Sequence, residues 1–145
     1  VGKKNYGQYF NTCYNLLKDN GIMLLHTIGT NARKAENPAF IHKYIFPGGY
    51  IPHIRDLTGT FLDDKWHLED WHNFGISYMK TLRNWHQNIG DWSELEQYNS
   101  HFRRMWSFYL LGCAALFDMR RFGLWQIVYT KRYSTREDDC HHIRR

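Results

Sequence analysis

His26, Thr27, Ile28 and Gly29 place an imidazole, a hydroxyl and a turn-forming glycine in succession at the end of an apolar run that starts at Ile22. An imidazole beside free backbone N–H groups at such a turn can hold a small anion, because amide dipoles converge where the next helix has not yet begun. The same histidine can equally be a packed strand residue. His67, Glu69, Asp70 and His72 are all metal-ligand types. Read as a strand, the 66–73 stretch sets His67, Glu69 and Trp71 on one face and Leu68, Asp70 and His72 on the other, so the two histidines cannot close on one ion. Cys140, His141 and His142 stand in a charged tail and offer no tetrahedral ligand set, so no metal is expected. Phe102, Trp106, Tyr109, Cys113 and Phe117 recur at helical spacing. A ring-walled stripe of this kind can line a tunnel for a slender apolar ligand, although core is its commoner use. The chain has no Gly-Lys-Ser phosphate loop, glycine-rich dinucleotide fingerprint, Gly-x-Ser-x-Gly elbow or paired-cysteine zinc motif. Spacing alone leaves the reaction open.

The elements that must position these groups follow from periodicity. Tyr6, Tyr9, Phe10, Cys13, Leu16 and Leu17 mark one face of a helix over 5–19, stopped by Asn20 and Gly21. The 22–28 run is apolar without alternation, the pattern of a strand covered on both sides. Helix, glycine, buried strand, glycine is the rhythm of a parallel α/β sheet, whose functional groups gather past the carboxyl ends of the strands. Asn37 as cap and Pro38 at the first position predict a helix through Phe40, Ile41, Tyr44 and Ile45, stopped at Pro47-Gly48-Gly49. A short helix over 51–61 and the 66–73 strand follow. Ile76, Met79, Leu82 and Trp85 restart helical spacing, with Tyr78 on an adjoining stripe. Ser93 and Glu96 form a capping box ahead of the long ring-bearing helix, and 124–130 is β-prone. From Lys131 onward the composition is that of a solvated tail. Three strands are few for a doubly wound sheet, so part of this sheet is expected elsewhere.

Composition sets the outer limits. The 145 residues fit one domain, and aromatics at 17% must line a core, a pocket or an interface. A mean hydropathy of −0.64 and the lack of any apolar run near the roughly 20 residues of a membrane span argue against a transmembrane helix. The net charge of +5 suits an anionic partner, nucleic acid or anionic lipid, without choosing between them. An odd cysteine count, Cys13, Cys113 and Cys140, and no signal peptide predict a reduced, intracellular chain. Val1 in place of Met predicts an internal position of a longer protein.

Several blocks taken in order carry a resemblance: Val1-Gly2-Lys3-Lys4-Asn5-Tyr6, then 24–29 (Leu-Leu-His-Thr-Ile-Gly), 44–49 (Tyr-Ile-Phe-Pro-Gly-Gly), 69–75 (Glu-Asp-Trp-His-Asn-Phe-Gly), Tyr78 with Thr81-Leu82, and Tyr109-Leu110 through Cys113-Ala114. Over residues 1–132 the chain resembles the cyclopropane-fatty-acid synthase family. The related mycolic-acid cyclopropane synthases share the histidine and Phe-Pro-Gly-Gly blocks. The resemblance implies an α/β fold, the C-terminal part of a Rossmann-like class I methyltransferase domain with its sheet incomplete in this chain, followed by a charged, disordered tail over 133–145.

It also implies an activity. Such enzymes move a methyl from S-adenosylmethionine to a cis double bond of a phospholipid acyl chain, and loss of a proton closes the ring, with a bound bicarbonate as base. Carried onto this sequence, the bicarbonate site falls on His26, Ile28 and Tyr78. Glu69 sits in a family block near the site, as a catalytic candidate or a structural ion pair, and Phe46, Tyr109 and Cys113 are acyl-pocket candidates. The residues that grip the methyl donor lie upstream in the family, so no donor-binding residue is assigned here and the polypeptide alone is expected to be inactive. The implied partners are unsaturated phospholipid acyl chains and a membrane surface, not nucleic acid, with the protein cytoplasmic and peripherally bound. Orphan apolar surface leaves a homodimer as one way to cover it. Two alternatives keep the kinship: a lipid methyltransferase giving methyl-branched or oxygenated products, and a non-catalytic lipid-binding remnant.

Overall fold

The computed structural model describes residues 2–32, 38–59, 62, 65–89 and 97–134. After one tight turn at Lys3–Asn5, helix α1 (Tyr6–Leu16) leads to strand β1 (Ile22–Gly29). A single wide turn at Ile41–Ile45 and the short helix α2 (Ile54–Leu57) precede strand β2 (Trp66–Asn73). Helices α3 (Gly75–Ile89) and α4 (Ser100–Asp118) pair before strand β3 (Gly123–Lys131) closes the order. All three strands stand where the sequence predicts them, within a residue at each end.

Strand direction differs from the sequence expectation. The sheet order is β1-β3-β2 and β3 runs antiparallel to both neighbours, so no two adjacent strands are parallel. An apolar run does not report strand direction, and β1 is covered less than its run predicts: Met23 and Leu25 pack on the α1 face, while on the other face Ile28 is covered and Leu24 and His26 are exposed. One face carries Phe10 of α1 and Leu57 of α2 against Trp66, Trp125, Ile127 and Tyr129. Phe10 is 1% exposed and meets Tyr129 and Trp66 edge-on, at 5.5 and 6.0 Å between ring centroids. The other face carries the α3–α4 pair, with Met79, Leu82, Leu110, Ala114 and Phe117 packed against Ile28 and Leu124.

A bulge overturns the face assignment in β2. The register slips between Leu68 and Asp70, so Leu68 opposes Tyr129 and Trp71 opposes Ile127, both on the α1 face. His67, opposite Thr130, and His72, opposite Gln126, therefore share the second face, and Trp71 is parted from His67. Four residues of β3 still separate the two histidines, about 13 Å at strand rise, too far for one ion. Among the described residues no three His, Cys, Asp or Glu side chains gather to hold a metal.

Other departures are local. The predicted 37–45 helix is present from residue 39, with the His42 N–H on the Pro38 carbonyl at 3.1 Å, but it ends in a wide turn in which the Phe46 N–H donates to the Ile41 carbonyl at 2.8 Å, and Gly48 takes a left-handed φ of 71° just beyond it. The 51–61 helix shrinks to α2, capped by His53, whose Nδ1 accepts from the Arg55 N–H at 3.1 Å. Helix α4 starts at Ser100 with Asn99 accepting from the Phe102 N–H at 2.9 Å. The Asn37 cap, the Ser93–Glu96 box, Phe61 and residues 135–145 lie outside the described residues.

The sheet end beyond β1 is tightly held. The indole of Trp125 lies over Gly29 and Gly123, where any Cβ would collide with the ring, so both positions need glycine. Thr30, 2% exposed, donates its hydroxyl to the Arg121 carbonyl at 2.7 Å and bonds through its backbone to Pro52 and Ile54.

Candidate functional site

Strand β1 carries two of the predicted anion-site residues on one face. His26 opposes Gln126 and Ile28 opposes Leu124, on the side that α3 and α4 cover. His26 is exposed, and its Nδ1 lies 3.3 Å from the Gln126 Nε2. An amide nitrogen can only donate, so Nδ1 is the acceptor and the neutral ring keeps its proton on Nε2. Ile28 packs against the α3–α4 cluster to which Tyr78 also belongs.

Tyr78 is half-buried on α3, with its ring edge-on to Phe117 at 5.0 Å and to Trp85 at 6.0 Å. Its hydroxyl makes no hydrogen bond among the described residues, and burial, then the nearby Cys113, pushes its pKa up. Burial, Cys113 and Tyr78 push Tyr109 up to about 12, and burial raises Cys113 to about 11. At neutral pH the three are therefore uncharged, the phenols as hydrogen-bond donors and the thiol as an unreactive, apolar wall.

Phe46, Tyr109 and Cys113 line one apolar cleft of about 150 Å³, between the 41–51 segment and α4. Ile28, Ile41, Phe117 and Phe122 complete its walls. The ring stripe on α4 thus divides. Tyr109, Cys113 and Phe117 face the cleft, while Phe102 stacks between Tyr98 and Trp106 at 4.7 and 6.0 Å. Sequence periodicity marked Ile41 as a helical apolar position but could not find Tyr50 or Ile51, because they belong to a connecting segment with no repeat to read.

Glu69 is not brought to His26. It is the bulged residue of β2 and accepts from the Thr130 hydroxyl at 2.7 Å. Thr130 opposes Ile22, four residues from His26 along β1, about 13 Å away at strand rise. Its visible work is to hold the bulge, which corrects the placement of Glu69 beside the anion site.

The chain matches the family model described as mycolic acid cyclopropane synthetase over residues 1–127. It is 40% identical over 133 residues to a cyclopropane-fatty-acyl-phospholipid synthase of Escherichia coli, covering 90% of this chain and 35% of that protein. Cyclopropane mycolic acid synthase 2 of Mycobacterium tuberculosis is 28% identical over 146 residues, 48% of its length. The chain thus spans well under two thirds of either relative. Among solved structures, the cyclopropane synthase MmaA2 from Mycobacterium tuberculosis superposes with a TM-score of 0.80 at 22% identity, over 88% of this chain and 50% of that one. The mycolic acid cyclopropane synthase CmaA1, solved with SAH and CTAB, superposes with a TM-score of 0.76 at 24% identity, over 91% and 51%. The three-stranded open sheet and its helices are therefore the part of a cyclopropane synthase methyltransferase fold expected from the sequence. The family match over 127 residues, on a fold shared with two solved synthases, means that the chain belongs to the mycolic acid cyclopropane synthetase family.

Proposed function

We propose that this chain forms the acyl-chain pocket and part of the anion site of an S-adenosylmethionine-dependent lipid methyltransferase that converts a cis double bond of a phospholipid into a cyclopropane. The observation that carries the reading is the apolar cleft walled by Phe46, Tyr109 and Cys113, beside phenols that stay protonated. A neutral O–H is the right donor for an oxyanion in apolar surroundings, and such an ion both stabilises an adjacent cation and removes its proton. Bicarbonate held by His26 through its Nε2–H, by Tyr78 through its hydroxyl and by Ile28 through its backbone fits this role. The Ile28 backbone has the direction this needs: two residues on, Thr30 turns its N–H and carbonyl away from β3, to Pro52 and Ile54, and alternate residues of a strand share that direction.

Bound S-adenosylmethionine would supply the electrophilic methyl. No glycine-rich loop opens a helix in these 145 residues, so none of them is assigned to hold the donor, and this polypeptide alone is expected neither to bind it nor to turn over. The lipid would come from a membrane surface. Phe108, Phe46, Leu111 and Tyr44 are exposed at 61, 55, 46 and 46%, beside Lys43 and Arg104, the aromatic-and-basic mixture that suits a cytoplasmic, peripherally bound enzyme. Leu24, 52% exposed on the β1 edge, is a surface that a second copy could cover.

Transfer of labelled methyl from S-adenosylmethionine to cis-unsaturated phospholipid vesicles, measured on the longest natural protein carrying this sequence, tests the reading. Tyr78→Phe and His26→Ala should each lower the rate by about 10²-fold while leaving lipid binding in place. Unchanged rates in both would overturn it. A second reading, a lipid methyltransferase leaving a methyl branch or an oxygen on the chain, draws on the exposure of His26, since water reaching the cation would intercept it. Oxygenated product in the same assay would favour that one.

A further inference from the structure

A second cavity, of about 300 Å³, opens at the carboxyl ends of β1 and β2 and is more polar than the cleft. Asn31 just past β1, Asn73 at the end of β2 and Arg120 just past α4 supply its polar groups. Phe117 and Phe122 form its apolar wall, and the same two rings also wall the acyl cleft, so the two spaces stand back to back. The size falls at the low end of the roughly 300–1,000 Å³ usual for small-molecule sites.

Arg120 is placed against its conformational preference. The α4 end is closed by the Arg120 N–H on the Phe117 carbonyl and the Arg121 N–H on the Leu116 carbonyl, both at 3.0 Å. That closure needs a left-handed residue, and Arg120 has a φ of 54°, the one positive φ of a non-glycine among the described residues. Glycine is the usual occupant because a Cβ is disfavoured there. An arginine held at such a position, lining a cavity, is a candidate for function through its side chain. Its guanidinium has no acid partner or hydrogen bond among the described residues, whereas Arg83 pairs with Asp118 and Arg103 with the Tyr98 carbonyl. The Asn73 side-chain oxygen is taken by the Gly75 N–H at 3.0 Å, which leaves its amide N–H groups as donors. The cavity thus offers a planar cation and amide donors and no carboxylate.

We propose that this cavity is a phosphate subsite, binding the phosphodiester headgroup of the phospholipid whose acyl chain occupies the neighbouring cleft; the assignment of the lipid rests on the acyl-chain reading above. A guanidinium fork matches two phosphate oxygens at once, and the shared lining residues Phe117 and Phe122 set the two spaces one side chain apart, within the reach of a single lipid around that wall.

Calorimetric titration of the longest natural protein carrying this sequence with dihexanoylphosphatidylglycerol, with dihexanoylglycerol and with inorganic phosphate tests it, using the native sequence, Arg120→Gly and Arg120→Lys. The native chain should bind the phospholipid about tenfold more tightly than the neutral lipid, as charge-assisted hydrogen bonds would give. Arg120→Gly should abolish that preference while melting a few degrees higher, because glycine relieves the left-handed position, so loss of binding cannot be put down to misfolding. Arg120→Lys should keep part of the preference. If both lipids bind and Arg120→Gly leaves their ratio unchanged, the subsite is overturned and the acyl-chain reading stands. If inorganic phosphate binds as tightly as the phospholipid and is lost in Arg120→Gly, the site takes free phosphate and the headgroup assignment is overturned. If neither lipid binds, the acyl-chain reading falls along with it.

Discussion

Across the β1–β3 ladder, the Nδ1 of His26 lies 3.3 Å from the Nε2 of Gln126, a pairing that only one neutral tautomer of the imidazole satisfies. Gln126 therefore acts as a positioning residue, leaving the Nε2–H free to donate. Gln126→Leu should release the constraint, and with a net hydrogen bond worth about 1 kcal/mol the Nε2–H to Nδ1–H ratio should drop about fivefold. The ring ¹⁵N resonances of His26 in a labelled chain report that ratio directly. An unchanged ratio would show that the contact does not hold the ring.

Cys113 faces the cleft with its thiol raised to about 11 by burial. Its thiolate is then scarce at pH 8, and alkylation by iodoacetamide in a Cys13→Ser, Cys140→Ser background should be slower there than for an ordinary exposed cysteine by about 10²-fold. The rate should climb tenfold per pH unit toward pH 11. Cys113→Ser should narrow the cleft's apolar character and weaken acyl binding, and Cys113→Trp should block it. Rapid alkylation at pH 8 would mean that the thiol is not walled in.

Much of this was legible in the chain, and the reason differs by element. The three strands were readable for different reasons: β1 as an apolar run bounded by glycine, β2 as an alternating stretch and β3 as a β-prone run. Their direction was not, because the residue pattern of a strand looks the same whichever way its neighbour runs. The bulge at Glu69 had no signal of its own, and one extra residue was enough to move Trp71 to the face away from His67. Half of the cleft was visible as the α4 stripe of Tyr109, Cys113 and Phe117, since helical spacing is periodic. The other half was marked only by Ile41, in the short helical stretch, and by Phe46; Gly49, Tyr50 and Ile51 come from an aperiodic connection. Arg120 was invisible because helix-end chemistry leads one to look for glycine.

Phe108 projects from α4 and meets Phe40 edge-on at 4.7 Å, which joins the exposed rings of the 40–46 segment to those of the helix. Lys43 sits over the Tyr44 ring at 4.9 Å. If this face rests on lipid, Phe108→Asp should lower partitioning onto anionic vesicles by about tenfold or more, since burying a phenyl ring is worth roughly 1.5–3 kcal/mol. Lys43→Gln with Arg104→Gln should remove the salt-dependent part only. Sedimentation with vesicles in low and high salt separates the two effects. Equal binding by the native chain and Phe108→Asp would exclude this face.

Asp56 ties the start of the chain to α2. Its carboxylate accepts from the Tyr50 hydroxyl at 2.7 Å and the His53 N–H at 2.8 Å, and Lys3 lies 3.4 Å away. Burial alone would raise its pKa, but the Tyr50 and His53 hydrogen bonds and the Lys3 cation outweigh that and hold it below the ordinary value of 3.8. A carboxyl depressed in the folded state binds its proton more readily when unfolded. Its contribution is therefore complete above the unfolded value near 4 and is lost as pH falls through the lower, folded value. Thermal melts should show stability dropping below about pH 4, and Asp56→Asn should cost about 1 kcal/mol at pH 7 with a smaller further loss in acid. Tyr50→Phe should reproduce part of the loss at pH 7. Tyr50 itself is raised to about 12 by burial, then by its bond to Asp56, so the phenol stays a donor over the whole range and only the carboxylate titrates. Parallel acid limbs for the native chain and Asp56→Asn would show that other carboxylates set the acid limit.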